Sequence, residues 1–163
     1  MASRKPAQAA AKPAAQTGLL WCGLNDGDLV LVDAAPLIYV LEDHPQYAVA
    51  FVGLFEAHER GQIRIAVSTI SLAEVLVGPF KRGQEALAKR YERALGGFEL
   101  LPVTQEIAVT AARLRASLGL RLPDALQAAT GLESGAVALV THDRDFSRLK
   151  GLRVITGAYP PER

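Results

Sequence analysis

The chain has 163 residues, half of them hydrophobic and 21% charged, the balance of a soluble globular domain able to bury a core of its own. A single cysteine, Cys22, excludes an intrachain disulfide and any Cys/His metal spacing, which fits a reducing cytosol, and no apolar run is long enough to span a bilayer. Three of the eighteen basic residues and two of the seventeen acidic ones fall within residues 1–28, so the remaining fifteen of each cancel and leave no general polycation field for nucleic acid.

The opening stretch MASRKPAQAAAKPAAQTG has almost nothing to bury and lacks the apolar core of a signal peptide. Residues 1–28 are therefore expected to be a disordered leader or extension, with the domain over residues 29–163. LLWCG (19–23) is the one part of that leader with apolar bulk to dock locally. DLVLVD (28–33) is a continuous aliphatic strand. PLIYVLE (36–42) and QYAVAFVGLFEAHERG (46–61) read as helices, the second closing at Gly61. IRIAVS (63–68) is a strand. TISLAEVLVG (69–78) is a helix capped by Thr69 or Ser68 and ending near Gly78-Pro79. QEALAKRYERALGG (84–97) is amphipathic with a double-glycine stop, and FELLPV (98–103) is strand-like. Two helices follow, one capped by Thr104 and one with Pro123 in its first turn, then the strand AVALVT (136–141), a short helix DRDFSRLKG (143–151) and a last strand LRVIT (152–156). Strands separated by helices imply right-handed crossovers, a central parallel sheet and a three-layer α/β/α sandwich.

In such a sheet ligands bind beyond the carboxyl ends of the strands, where strand order reverses. Asp33 directly follows the first strand, and Asp143 follows AVALVT after Thr141 and His142. If those strands are neighbours, two acids 110 positions apart reach one crevice. Glu74 lies in TISLAEVLVG, where only it and Ser71 are polar between Ile70 and Val77, and Ser71, Glu74 and Gly78 share a helical face. Asp124 opens LPDALQAAT, with Gln127, Ala128 and Gly131 along its face, where the small residues would admit a close partner. Singly, Asp33 also reads as a strand-end turn acid, Asp124 as a first-turn acid favoured by the helix dipole, and Asp143 or Asp145 as a cap. Glu74 has no such explanation, because an apolar helix gains nothing from it.

Four blocks, VDAAPLIYVLED, STISLAEVLVGPF, LRLPDALQAATGLESG and ALVTHDRDF, together resemble the PIN domain family, and within it the VapC-type ribonuclease toxins of bacterial toxin–antitoxin pairs. The resemblance spans roughly residues 29–156 and implies a Rossmann-like fold and metal-dependent cleavage of RNA. It places the family's acidic quartet on Asp33, Glu74, Asp124 and Asp143, with Asp145 as the alternative to Asp143. It departs at Ala34 and Ala35, where such proteins commonly carry a hydroxyl or amide residue that supports the first carboxylate. His142 stands where a small polar or basic residue is often seen.

Four carboxylates in one crevice repel, each pair about 4 Å apart by roughly 4 kcal/mol at an effective dielectric near 20. Without a cation, one or more takes up a proton through a raised pKa. Oxygen ligands without Cys or a His pair select Mg²⁺ or Mn²⁺. Asp33, Asp124 and Asp143 are then the metal ligands, Glu74 orients or deprotonates the attacking water, and Thr141 steadies a carboxylate or water, or is a plain strand residue. Lys81, Arg82, Arg121, Arg144 and Arg148 are the candidate RNA phosphate contacts. KRYER (89–93) reads as an exposed amphipathic helix, and His44 and His58 as surface residues. The resemblance also implies a small antitoxin as partner and a homodimer, with helices 36–42 and 48–58 available as its interface. The alternatives are a PIN-fold RNA-processing nuclease without an antitoxin, and a non-catalytic scaffold that binds RNA or protein.

Overall fold

The run Leu29–Val32 forms β1, the middle strand of five. The computed structural model describes residues 21–158, and the sheet order is β3-β2-β1-β4-β5 with every pairing parallel. β2 is Arg64–Ser68, β3 Glu99–Leu101, β4 Ala138–Val140 and β5 Arg153–Ile155. The helices are α1 (Ala34–Leu41), α2 (Val52–Glu59), α3 (Thr69–Lys81), α4 (Glu85–Leu95), α5 (Gln105–Leu118) and α6 (Leu122–Glu133). Parallel strands need crossovers, and these helices supply them on both faces.

Alternation along β1 separates the two cores. Val30 and Val32 point to one face, with Leu37, Phe51, Leu54, Val75 and Leu95 from α1 to α4 and the turn before α2. Leu31 points to the other, with Ala66, Ala128, Leu139, Phe146 and Leu152. A third cluster, Ile107, Ala111, Ala125 and Ala129, joins α5 to α6. The result is the expected three-layer α/β/α sandwich. The side chains on the α6 face are mostly alanine, and Gly131 comes closest of all: a Cβ there would lie 2.5 Å from the Leu152 side chain. The small residues along α6 therefore admit the chain's own sheet and α5.

Three local expectations change. The helix expected over 46–61 is broken into a 3-10 turn at Ala48–Ala50 and α2, with Phe51 buried at the break; the local period cannot reveal a core anchor that stops a helix. α3 runs through Pro79 to Lys81 rather than ending at Gly78, and Ser68 is its cap, accepting from Ser71 N–H at 3.0 Å. Proline so near the end removes one backbone hydrogen bond, and the N–H groups of Arg82 and Gln84 close the turn on the Gly78 and Pro79 carbonyls. The apolar side of α1 is taken up by packing, since Ile38, Val40 and Leu41 lie against the core, while Val49 and Val52 beyond it stay exposed.

The packed body begins before β1. Trp21 lies against Gly53, Leu24 is buried, and Arg153 donates to the Cys22 and Gly23 carbonyls. Residues 1–20 of the expected leader lie outside the described residues. Among the described residues no helix is long and apolar enough to cross a membrane.

Candidate active site

β1 and β4 are neighbours, with Val32 opposite Val140. The sheet order reverses there, because the chain leaves β1 towards β2 and β3 and returns on the other side as β4. Asp33 and Thr141 each follow their strand by one residue, and Asp33 N–H donates to the Val140 carbonyl at 2.9 Å. The extended backbone at Asp33 ends the strand and caps α1, its Oδ1 accepting from Ala34 N–H at 2.8 Å. Thr141 is fully buried; its hydroxyl donates to Asp33 Oδ2 at 2.8 Å and accepts from Asp143 N–H at 3.0 Å. Thr141 thus ties the ends of the two strands together. The hydrogen bonds that Ala34 and Ala35 have no side chain to provide come from this hydroxyl and from the Ala34 backbone.

Asp124 reaches the same rim from the first turn of α6. Asp143 caps the 3-10 turn Arg144–Arg148, its Oδ1 accepting from Asp145 N–H at 2.8 Å. One carboxylate oxygen from each of Asp124, Asp143 and Asp145 lies within 4.8 Å of the others. Both Asp143 and Asp145 therefore face the cluster. Asp33 is outside that threesome, hydrogen-bonded to Thr141, yet close enough for Asp124 and Asp143 to act on its charge. Burial pushes the Asp33 carboxyl above the usual carboxylate range; the two neighbouring acids add to this, and the hydrogen bonds from Thr141 and Ala34 oppose it.

Glu74 stands in the second turn of α3 at an exposed position, while Ser71 on the same helix is fully buried. Partial desolvation raises the Glu74 pKa, Asp33 and Asp124 raise it further, and Arg121 lowers it. The helix is not buried all round apart from its polar stripe, as its sequence suggests, for Val77 and Phe80 are exposed. Ser71 and Glu74 have different tasks. Ser71 belongs to a buried network in which Gln127 accepts from Ser68 Oγ at 2.5 Å and donates to Ser71 Oγ at 3.0 Å, with a longer contact to the Val32 carbonyl. This network fastens α6 to α3, β2 and the end of β1 beneath the acids. Sequence reading places Gln127 on the Asp124 face but misses its role; a long polar residue among alanines opposite a lone serine is the available signal.

The basic residues divide. Arg121 Nε donates to Asp124 Oδ2 at 2.9 Å, and its Nη2 lies 3.9 Å from Asp143 Oδ2. Arg121, Arg144 and Arg148 line a polar groove that also includes Asp145 and Ser147, and Arg148 donates to the Leu118 carbonyl. Lys81 and Arg82 lie at the far end of α3, about 10–12 Å along the axis from Glu74, and Arg82 pairs with Glu42 and Gln84. These two are away from the acidic rim. Lys89 and Arg93 line an exposed groove on α4.

The histidines are half-buried rather than on the open surface. His44 Nδ1 accepts from Gln46 and Tyr47 N–H groups, His58 Nδ1 is 3.3 Å from the Ile63 carbonyl, and His142 Nδ1 is 2.8 Å from the Tyr39 hydroxyl. No histidine joins a metal-sized cluster among the described residues. The donor set is all carboxylate, which suits a hard divalent ion. Two oxygens on opposite sides of Mg²⁺ are about 4.2 Å apart, so a cluster within 4.8 Å fits after a small closure or through bridging water.

The sequence matches the family model of the PIN domain over residues 30–152. No curated protein gives a significant match. Among solved structures, a toxin–antitoxin complex from Klebsiella pneumoniae contains a chain 30% identical, with a TM-score of 0.62 over 78% of this chain and 96% of that one. VapBC2 from Rickettsia felis, bound to a promoter DNA fragment, matches at 22% identity and a TM-score of 0.64, covering 77% and 96%. VapC20 from Mycobacterium tuberculosis, a toxin that cleaves the Sarcin-Ricin loop, shares the fold at 15% identity with a TM-score of 0.60, covering 74% and 95%. With strand order, acidic rim and family match in agreement, the chain belongs to the PIN domain family.

Proposed function

We propose that this protein is a Mg²⁺- or Mn²⁺-dependent endoribonuclease and the toxin of a toxin–antitoxin pair. The observation that carries the reading is the convergence of Asp33, Glu74, Asp124 and Asp143 from β1, α3, α6 and the end of β4 on one rim. Asp124 and Asp143, with Asp33 and Asp145 near them, would hold the cation. When bound, the ion supplies Lewis-acid activation of water and offsets charge developing on the phosphate. Glu74 accepts the proton of the attacking water at its carboxylate, a task suited to an acid whose pKa burial and neighbouring acids raise above the usual carboxylate range. Thr141 fixes the orientation of Asp33 and holds the Asp143 backbone. Arg121 and Arg144, beside the acids, are the cations offered to the RNA backbone, with Arg148 lining the same groove.

An antitoxin partner is supported by the 30% identical chain, which was solved in a toxin–antitoxin complex. A homodimer belongs to the same reading, and the exposed Val49, Val52, Val77 and Phe80 give it apolar surface. The test is incubation of purified protein with structured RNA in Mn²⁺ or Mg²⁺, with EDTA and Glu74→Gln as parallel arms. The reading expects cuts only by the wild type with metal; equal inactivity of wild type and variant under every condition would sink it in favour of a scaffold.

A further inference from the structure

Arg121 is held in an unusual way for a residue expected to meet substrate. It directly precedes α6 and gives that helix no side-chain cap. Instead its guanidinium turns to the rim, with Nε on Asp124 Oδ2 at 2.9 Å and Nη2 at 3.9 Å from Asp143 Oδ2. Its side chain is 74% exposed, against 15% for Asp124 and 35% for Asp143. An exposed cation thus lies on the solvent side of the acidic cluster, against two of its three carboxylates.

We infer that Arg121 is an internal competitor for the metal, pairing with Asp124 and Asp143 when the ion is absent and leaving them when it binds. This rests on the metal-dependent reading of the rim. An ion about 2.1 Å from Asp124 Oδ2 would be no more than about 5 Å from a guanidinium nitrogen 2.9 Å from the same oxygen, a separation at which like charges repel strongly. Exposure lets the side chain swing away with no backbone movement. The competition has a regulatory consequence: the acids are partly neutralised without metal, and loading requires enough divalent ion to displace the arginine. Arg144 provides the comparison, since it lines the neighbouring groove and has the same charge but forms no ion pair with these carboxylates.

Calorimetric titration of the full chain with Mn²⁺ tests this, using wild type, Arg121→Gln, Arg121→Lys and Arg144→Gln, with melting curves taken with and without the ion. Arg121→Gln is expected to bind Mn²⁺ about three- to tenfold more tightly than wild type. Arg144→Gln should stay within about twofold, and Arg121→Lys should lie between. Without metal Arg121→Gln should melt below wild type, and at saturating Mn²⁺ the two should coincide. Equal or weaker binding by Arg121→Gln, or equal tightening by Arg144→Gln, would overturn the competitor while leaving the metal reading intact. Absence of Mn²⁺ binding in all four proteins would overturn both.

Discussion

α3 and α6 both deliver an acid to the same rim, but they are seated in opposite ways. α6 lies tightly on the sheet and on α5 through Ala125, Ala128, Ala129 and Gly131, and its acid comes from the first turn, where backbone N–H groups and the dipole favour a negative charge. Asp124 is therefore a largely buried, fixed carboxylate already paired with a cation. α3 buries Ser71, Val75 and Pro79, leaves Val77 and Phe80 in solvent, and offers Glu74 from its second turn. Among the described residues no side chain forms an ion pair or hydrogen bond with Glu74, and partial burial and then the neighbouring acids raise its pKa. One helix fixes its charge in place and the other leaves its acid more open, which on the proposed reading is the division between a metal ligand and a proton acceptor.

That division is open to challenge by mutation. Glu74→Gln should reduce RNA cleavage by about 10²- to 10⁴-fold while Mn²⁺ affinity, measured by calorimetry, changes little; a parallel loss of metal binding would move Glu74 into the ligand set. Thr141→Val keeps the shape of the strand end but removes the hydroxyl shared by Asp33 and Asp143. It should lower metal affinity or activity by about 10- to 100-fold, the range for residues that orient ligands. An unchanged titration would reduce Thr141 to a plain strand residue. Gln127→Ala strands the Ser68 and Ser71 hydroxyls beneath both helices and should cost about 1–3 kcal/mol in denaturant unfolding, with no change if the network is decorative.

The smallest effect concerns pH. Asp33 and Glu74 have raised pKa values in the metal-free fold, so the folded state holds these protons more tightly than the unfolded chain. Their contribution to stability is complete below the unfolded pKa and is lost as pH rises through the folded values. The metal-free melting temperature should carry a component that falls as pH rises from about 4 through the raised folded values, and the rise on adding Mn²⁺ should grow over the same interval. A pH-independent Mn²⁺ effect would contradict the assignment.

Much of this was legible in the residues. A greasy strand ending in Asp33, another ending in Thr141 two residues before Asp143, and the crossover rule together place two acids on one rim before any coordinates. The strand pairing then confirms that the two ends are adjacent. What the sequence hides is tertiary. The break at Phe51 depends on a core that local periodicity does not describe. The opposed burial of Ser71 and Glu74 depends on Gln127, 56 positions from Ser71. Arg121 reads as one more basic residue until its guanidinium is seen on Asp124 and Asp143.

The most direct measurement is anomalous diffraction from crystals soaked in Mn²⁺. The account predicts a peak between Asp124 and Asp143, about 2.0–2.5 Å from their carboxylate oxygens or one water away, with Asp33 oriented towards it. A Mn²⁺-saturated crystal with no peak at this rim, or with its peak elsewhere on the molecule, would contradict it.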